Sequence, residues 1–140
     1  YLFALMEELE RRGHEWVPIT VAYEKTTVDA WSEYFVSPPL GQEQSHYADM
    51  RPSPLGMLRL LGRATYSFEA RSKAARLIDA AQPDIAYVHN IYNYMSPSML
   101  HACASRKLPT VMRVPDYNMM CAELHFLRHG EVCRRCQHGA

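Results

Sequence analysis

The side chains able to do chemistry gather in the second half of the chain. His89, Asn90, Asn93 and Tyr94 follow the apolar run Ile85-Ala86-Tyr87-Val88, and Arg113, Asp116 and Tyr117 close or follow the run Thr110-Val111-Met112. An imidazole can give or take a proton near neutral pH. A carboxylate can take a proton from a hydroxyl or orient an acceptor. Amide and phenol groups beside them can hydrogen-bond hydroxyls, and Tyr rings can stack on a sugar face. The set suits a polyhydroxylated ligand. His89 and Asp116 are the catalytic candidates; Asn90, Asn93, Tyr94, Arg113 and Tyr117 are the binding candidates. A plainer reading stands beside this one. Asn and Asp are turn formers first, so Asn90 and Asn93 could simply shape the loop, with Tyr92 or Tyr94 as packing.

A second constellation is Cys121 with Cys133-Arg134-Arg135-Cys136. Two thiolates separated by two residues can share one tetrahedral zinc, and Cys121 could be a third ligand. His125, His129 or His138 could supply a fourth. The pair could also be a redox couple, but such a pair opens a helix after a strand, whereas this one follows Gly130 in a polar loop. Three unrelated thiols is the remaining alternative. Arg134 and Arg135 favour thiolates in any of these cases.

The elements that must position these groups have an α/β pattern. Leu2, Leu5, Met6 and Leu9 give an amphipathic helix over residues 1–12, stopped by Gly13. Glu15 to Val21 reads as a strand, with Pro18 placing it at an edge or a start. Residues 23–54 are irregular and rich in proline. Helices are expected over 55–63 and 66–81, the second ended by Gln82-Pro83. Ile85 to Val88 is a strand, Ser96 and Pro97 open a helix running to about Lys107, and Thr110 to Val114 is another strand. Strand, helix and strand in so short a span form a βαβ unit, whose strands must be parallel. In such sheets ligands bind beyond the carboxyl ends of the strands, where both polar clusters fall.

Composition narrows the classes. The 140 residues carry 15 basic and 15 acidic side chains, which argues against a protein that works by neutralising nucleic-acid phosphates. With 48% hydrophobic and 21% charged residues, the chain is expected to fold as one globular domain. No apolar run approaches the ~18 residues of a membrane span. Four cysteines and no secretory pattern point to a reducing compartment. No Gly-rich phosphate loop and no Gly-x-Ser-x-Gly elbow is present. The opening Tyr1-Leu2-Phe3 is already helical in pattern, so a longer parent protein is expected.

Leu9-Glu10-Arg11-Arg12-Gly13-His14-Glu15 before a strand, Pro83-Asp84-Ile85-Ala86-Tyr87-Val88-His89-Asn90, and Leu108-Pro109-Thr110-Val111 leading to Asp116-Tyr117 together resemble glycosyltransferase family 4, of the GT-B fold. Gly130-Glu131-Val132-Cys133-Arg134-Arg135-Cys136 with Cys121 resembles a cysteine-bearing loop in one branch of that family. The resemblance implies a partial amino-terminal, Rossmann-like domain with flanking helices over residues 1–140, with the first strand and its Gly-rich loop missing and a cysteine-containing loop over 117–140. It also implies a retaining enzyme that moves a sugar from a nucleotide-sugar donor to a glycan or lipid-linked acceptor hydroxyl. The donor domain would lie outside this chain, leaving the chain inactive alone. His89, Asn90 and Asp116 would face the acceptor, and a further cysteine outside the chain would complete a structural zinc set. The expected location is cytoplasmic; the stretch with Leu55, Met57, Leu58, Leu60 and Leu61 beside Arg59 and Arg63 could touch the inner membrane face, but a packed helix is the plainer and favoured reading of it. The alternative function is a non-catalytic α/β binding or scaffold module with a zinc knuckle.

Overall fold

The computed structural model describes residues 1–23, 26, 30–38, 53–92, 95–117, 120, 121, 123 and 125–136. It is a mixed helix and strand structure built on a small parallel sheet with flanking helices.

Helix α1 (Leu2–Arg11) matches its apolar stripe, although the stripe is only half covered: Leu5, Met6 and Leu9 are half-buried and Leu2 is exposed. The Glu8 carboxylate accepts from both Arg11 and Arg12 on its polar face. Gly13 ends the helix at φ 82°, a left-handed conformation that costs an L side chain energy.

The strand expected over Glu15 to Val21 is reduced to one parallel bridge between Val21 and Val36. Its bonds are Ala22 N–H to Val36 C=O and Val36 N–H to Thr20 C=O, both 2.8 Å. A ladder needs donors along its length and Pro18 has none. A 3-10 turn at Ser32–Tyr34 leads into the buried Phe35 and Val36. Most of the expected irregular stretch, residues 39–52 above all, lies outside the described residues.

Helix α2 (Pro54–Thr65) starts where Ser53 Oγ accepts from Gly56 N–H at 3.2 Å, with Pro54 in the first turn. Helix α3 (Phe68–Ala81) begins two residues later than the sequence pattern suggests, because Ser67 caps it by accepting from Ala70 N–H at 3.1 Å. Gln82, left-handed at φ 47°, and Pro83 end it. Ala70, Ala74 and Leu77 form its buried face.

The βαβ unit is present. Strands β1 (Ala86–His89) and β2 (Thr110–Arg113) are parallel, in the register Ala86 to Thr110, Tyr87 to Val111, Val88 to Met112 and His89 to Arg113. Helix α4 (Ser98–Ser105) connects them. It is shorter at both ends than the sequence suggests. Lys107, at φ 56°, turns the chain out of the helix, and Ser96, at φ 59°, lies before it rather than capping it.

Ser96 has a different task. Its Oγ accepts from Ser67 N–H at 2.9 Å and from Ser98 N–H at 3.3 Å, and it shares a 2.8 Å bond with Ser98 Oγ. Ser98 Oγ donates to Ser67 C=O at 2.7 Å, so the proton between the two hydroxyls belongs to Ser96. All three serines are buried. The ring of bonds locks the start of α3 to the approach of α4.

The core lies against one face of the sheet. Ala70 and Ala74 of α3, Met99 and Ala102 of α4, Val88 of β1, and Val21, Val36, Ile91 and Met95 from loops make it up. Small alanines let α3 and α4 approach closely. The strand period of two sends Tyr87 and Val111 to the other face, where both are exposed.

The cysteine-containing loop is more ordered than its polar sequence suggests. Strands β3 (Leu127–Arg128) and β4 (Glu131–Val132) form an antiparallel hairpin. His129 and Gly130 have φ 52° and 82°, the positive pair of a type I′ turn. Among the described residues no helix is long and apolar enough to cross a membrane.

Candidate functional site at the carboxyl edge of the sheet

His89 and Arg113 are the last residues of their strands and lie opposite each other in register. Both are half-buried. By the same alternation they share the sheet face that carries Tyr87 and Val111. Arg113 Nη1 donates to His89 Nε2 at 2.6 Å. The Arg113 guanidinium carbon stands 4.1 Å from the centre of the Tyr1 ring. The Tyr1 ring lies 6.3 Å from the His89 ring at an interplanar angle of 30°. The Tyr1 and Tyr87 hydroxyls share a hydrogen bond of 2.9 Å. Thus the amino end of α1 sits above the ends of β1 and β2.

The tautomer follows from the donor. A guanidinium has no lone pair to offer, so Nε2 of His89 must be the acceptor and the ring proton sits on Nδ1. While this bond is made, Nε2 cannot take a proton from a hydroxyl. Nδ1–H is then the one donor left on the His89 ring. The Tyr87 phenol is held above its ordinary pKa, first by its bond to Tyr1 and then by the partial desolvation that this contact brings, with the Arg113 cation opposing.

The other expected site residues separate by position. Asn90 follows β1 directly, exposed and left-handed at φ 52°, a conformation Asn tolerates better than most residues. Its turn-forming role is therefore visible. Asn93 and Tyr94 lie outside the described residues. Asp116 is half-buried in the bend after β2, at the same sheet edge as His89, and is engaged in an interaction of its own. Tyr117 is exposed, but its ring packs on Phe126 with centroids 4.8 Å apart.

Tyr1 and Tyr87 were not evident as site residues in the sequence. Tyr87 had a signal, since it stands two residues before His89 and must share its face. Tyr1 had none, because its contact bridges 86 positions of the chain.

Cys121, Cys133 and Cys136 are free thiols. Among the described residues no three His, Cys, Asp or Glu side chains are grouped to hold a metal ion. The described geometry thus supplies no complete zinc set. Cys133 instead closes the hairpin, its N–H donating to Phe126 C=O at 2.6 Å. Two open depressions lie away from the strand ends. One, of about 290 Å³, is at the amino edge of the sheet beside Asp79, Arg106 and Pro109; the other, of about 450 Å³, lies beside the hairpin at Arg128, Glu131 and Arg135. Neither holds His89 or Arg113. Compared with protein-family models, with curated proteins and with solved structures, the chain matches none.

Proposed function

We propose that this chain is the acceptor-side, Rossmann-like part of a retaining glycosyltransferase of the GT-B type. One observation carries the reading: two parallel strands end side by side at His89 and Arg113, with Asp116 following the second. That is where open α/β sheets bind ligands. The order of sequence features that resembles glycosyltransferase family 4 supports the same reading. In it, His89 Nδ1–H and Arg113 donate to acceptor oxygens. Asp116 is the carboxylate placed to receive or orient a hydroxyl proton. The nucleotide-sugar donor is held by a further domain. Exposed Leu55, Met57, Leu58 and Leu61, with Arg59 among them on α2, suit contact with a membrane that carries a lipid-linked acceptor.

The test is saccharide contact followed by saturation-transfer NMR with a panel of neutral disaccharides. A saturable signal lost in His89→Ala, with the fold retained, is expected. No signal from any member of the panel overturns the reading. Supplied with nucleotide sugars and acceptors, the chain should show no turnover, and measurable transfer would refute the placement of the donor in another domain.

A further inference from the structure

We infer that Arg113 and His89 form a subsite for an oxyanion, a phosphate or carboxylate group carried by the ligand. The inference rests on counting donors and charges. A guanidinium has five N–H donors and no acceptor. One donor of Arg113 goes to His89. The ion pairs among the described residues use Arg11, Arg12, Arg63, Lys73, Arg76 and Arg106, each on a carboxylate. Arg113 is in none of them. Its charge rests on the Tyr1 ring, a contact that uses no donor. The neutral His89 adds Nδ1–H, a further donor on the same edge.

The pair therefore presents N–H groups and one positive charge; Asp116, at the same edge, is engaged in an interaction of its own, and among the described residues no carboxylate forms an ion pair with Arg113. A neutral hydroxyl would take one of these donors and leave the charge uncompensated. An oxyanion takes two in-plane donors from the guanidinium at once, which is the geometry Arg is shaped for. Half-burial strengthens that attraction relative to open water. The Arg113–His89 bond fixes the guanidinium, so little side-chain freedom remains to be lost on binding. The oxyanion subsite stands on this pair alone; only its assignment to a glycan or lipid-linked acceptor rests on the sugar-transfer reading. In that reading the acceptor carries an oxyanion, from a phosphorylated sugar or lipid or a uronic acid, in addition to the neutral saccharide hydroxyls that the disaccharide panel tests.

The experiment is an NMR titration of the full chain, following the Arg113 Nε–H and the His89 ring. The probes are inorganic phosphate, glucuronate and glucose, with sodium chloride matching ionic strength. Saturable shifts at Arg113 with phosphate, glucuronate or both, and none at Arg113 with glucose or chloride, are expected; which of the two binds more tightly identifies the oxyanion. Arg113→Gln should abolish the response, and Arg113→Lys should weaken it at least tenfold. If Arg113→Gln does not fold, Arg113→Lys decides. An undiminished response in either variant, the same shifts with chloride, or no saturable shift with either anion overturns the inference. Anion binding without a disaccharide signal would leave the subsite standing and remove the sugar reading; the reverse result would do the opposite.

Discussion

His89 and Arg113 face each other across the sheet as the last register pair of two parallel strands, and the guanidinium donates to the imidazole at 2.6 Å. The bond dictates where the imidazole proton resides. In the folded chain at neutral pH, two-dimensional nitrogen–proton NMR should show His89 with a protonated Nδ1 and an unprotonated Nε2. Arg113→Met should release the ring to the usual mixture of tautomers. A wild-type ring with its proton on Nε2 would contradict the geometry.

The three buried serines give a stability prediction. Ser96→Ala leaves the buried Ser67 N–H without the acceptor it uses at 2.9 Å. A buried donor stripped of its partner costs about 1–3 kcal/mol, and the urea midpoint should fall accordingly. Ser105→Ala is the comparison. That hydroxyl donates to Ala102 C=O at 2.9 Å and accepts from Arg106 at 3.3 Å on the exposed end of α4, where water can replace both partners, and its removal should change stability by about 0.5 kcal/mol or less.

Acid should weaken the fold, and Glu69 should account for a measurable share. Burial works against the Glu69 carboxylate, yet bonds from Ser37 and the nearby Arg63 and Lys73 cations outweigh it and hold its pKa below the ordinary carboxylate range. Asp79 is lowered by the paired bonds of Arg106, both 2.6 Å. A carboxyl group with a depressed folded pKa binds its proton more readily when unfolded. Its stabilisation is therefore present above the unfolded pKa, near 4, and is lost as pH falls through the folded value. Thermal melts should be lower at pH 3 than at pH 7, with a smaller difference in Glu69→Gln. An equally steep pH dependence in that variant would show that Glu69 does not contribute.

The hairpin offers a local test. Gly130 at φ 82° has open space around its missing side chain, so only backbone strain opposes substitution. Gly130→Ala should cost about 1–2 kcal/mol of local stability. Because Leu127, Arg128, Glu131 and Val132 are exposed, that loss should fray the hairpin without unfolding the core. Amide exchange should quicken at residues 127–133 while Val88 and Ala102 keep their protection.

Much of the helical framework could be read from periodicity and punctuation. Leu2, Leu5, Met6 and Leu9 mark α1, Gly13 marks its end, and Gln82-Pro83 marks the end of α3. The parallel pairing of β1 and β2 follows from a helix lying between two short strands. Legibility failed where tertiary partners decide. The segment before Val21 has strand composition but finds one bridging partner. Ser96 has the composition of a helix cap and is drawn instead to Ser67. Residues on the strand ends were legible as site candidates because position in a βαβ unit is a local property. Tyr1 was not, since nothing in a helix stripe says which distant side chain its first residue will meet. The link between His89 and Arg113 was equally hidden until the register was known.

Ser96 joins two parts of the molecule that the chain keeps 29 positions apart, and its own N–H closes back onto Ile91 C=O at 2.8 Å. The short path from His89 to Ser96 is thereby moored at its far end to the first turn of α3. Inserting a single residue into the first turn of α3 would swing Ser67 by about 100° relative to the helix's buried face and slip the mooring. Length changes at that distant spot should then alter the edge that carries His89 and Arg113 as surely as replacing a residue within it.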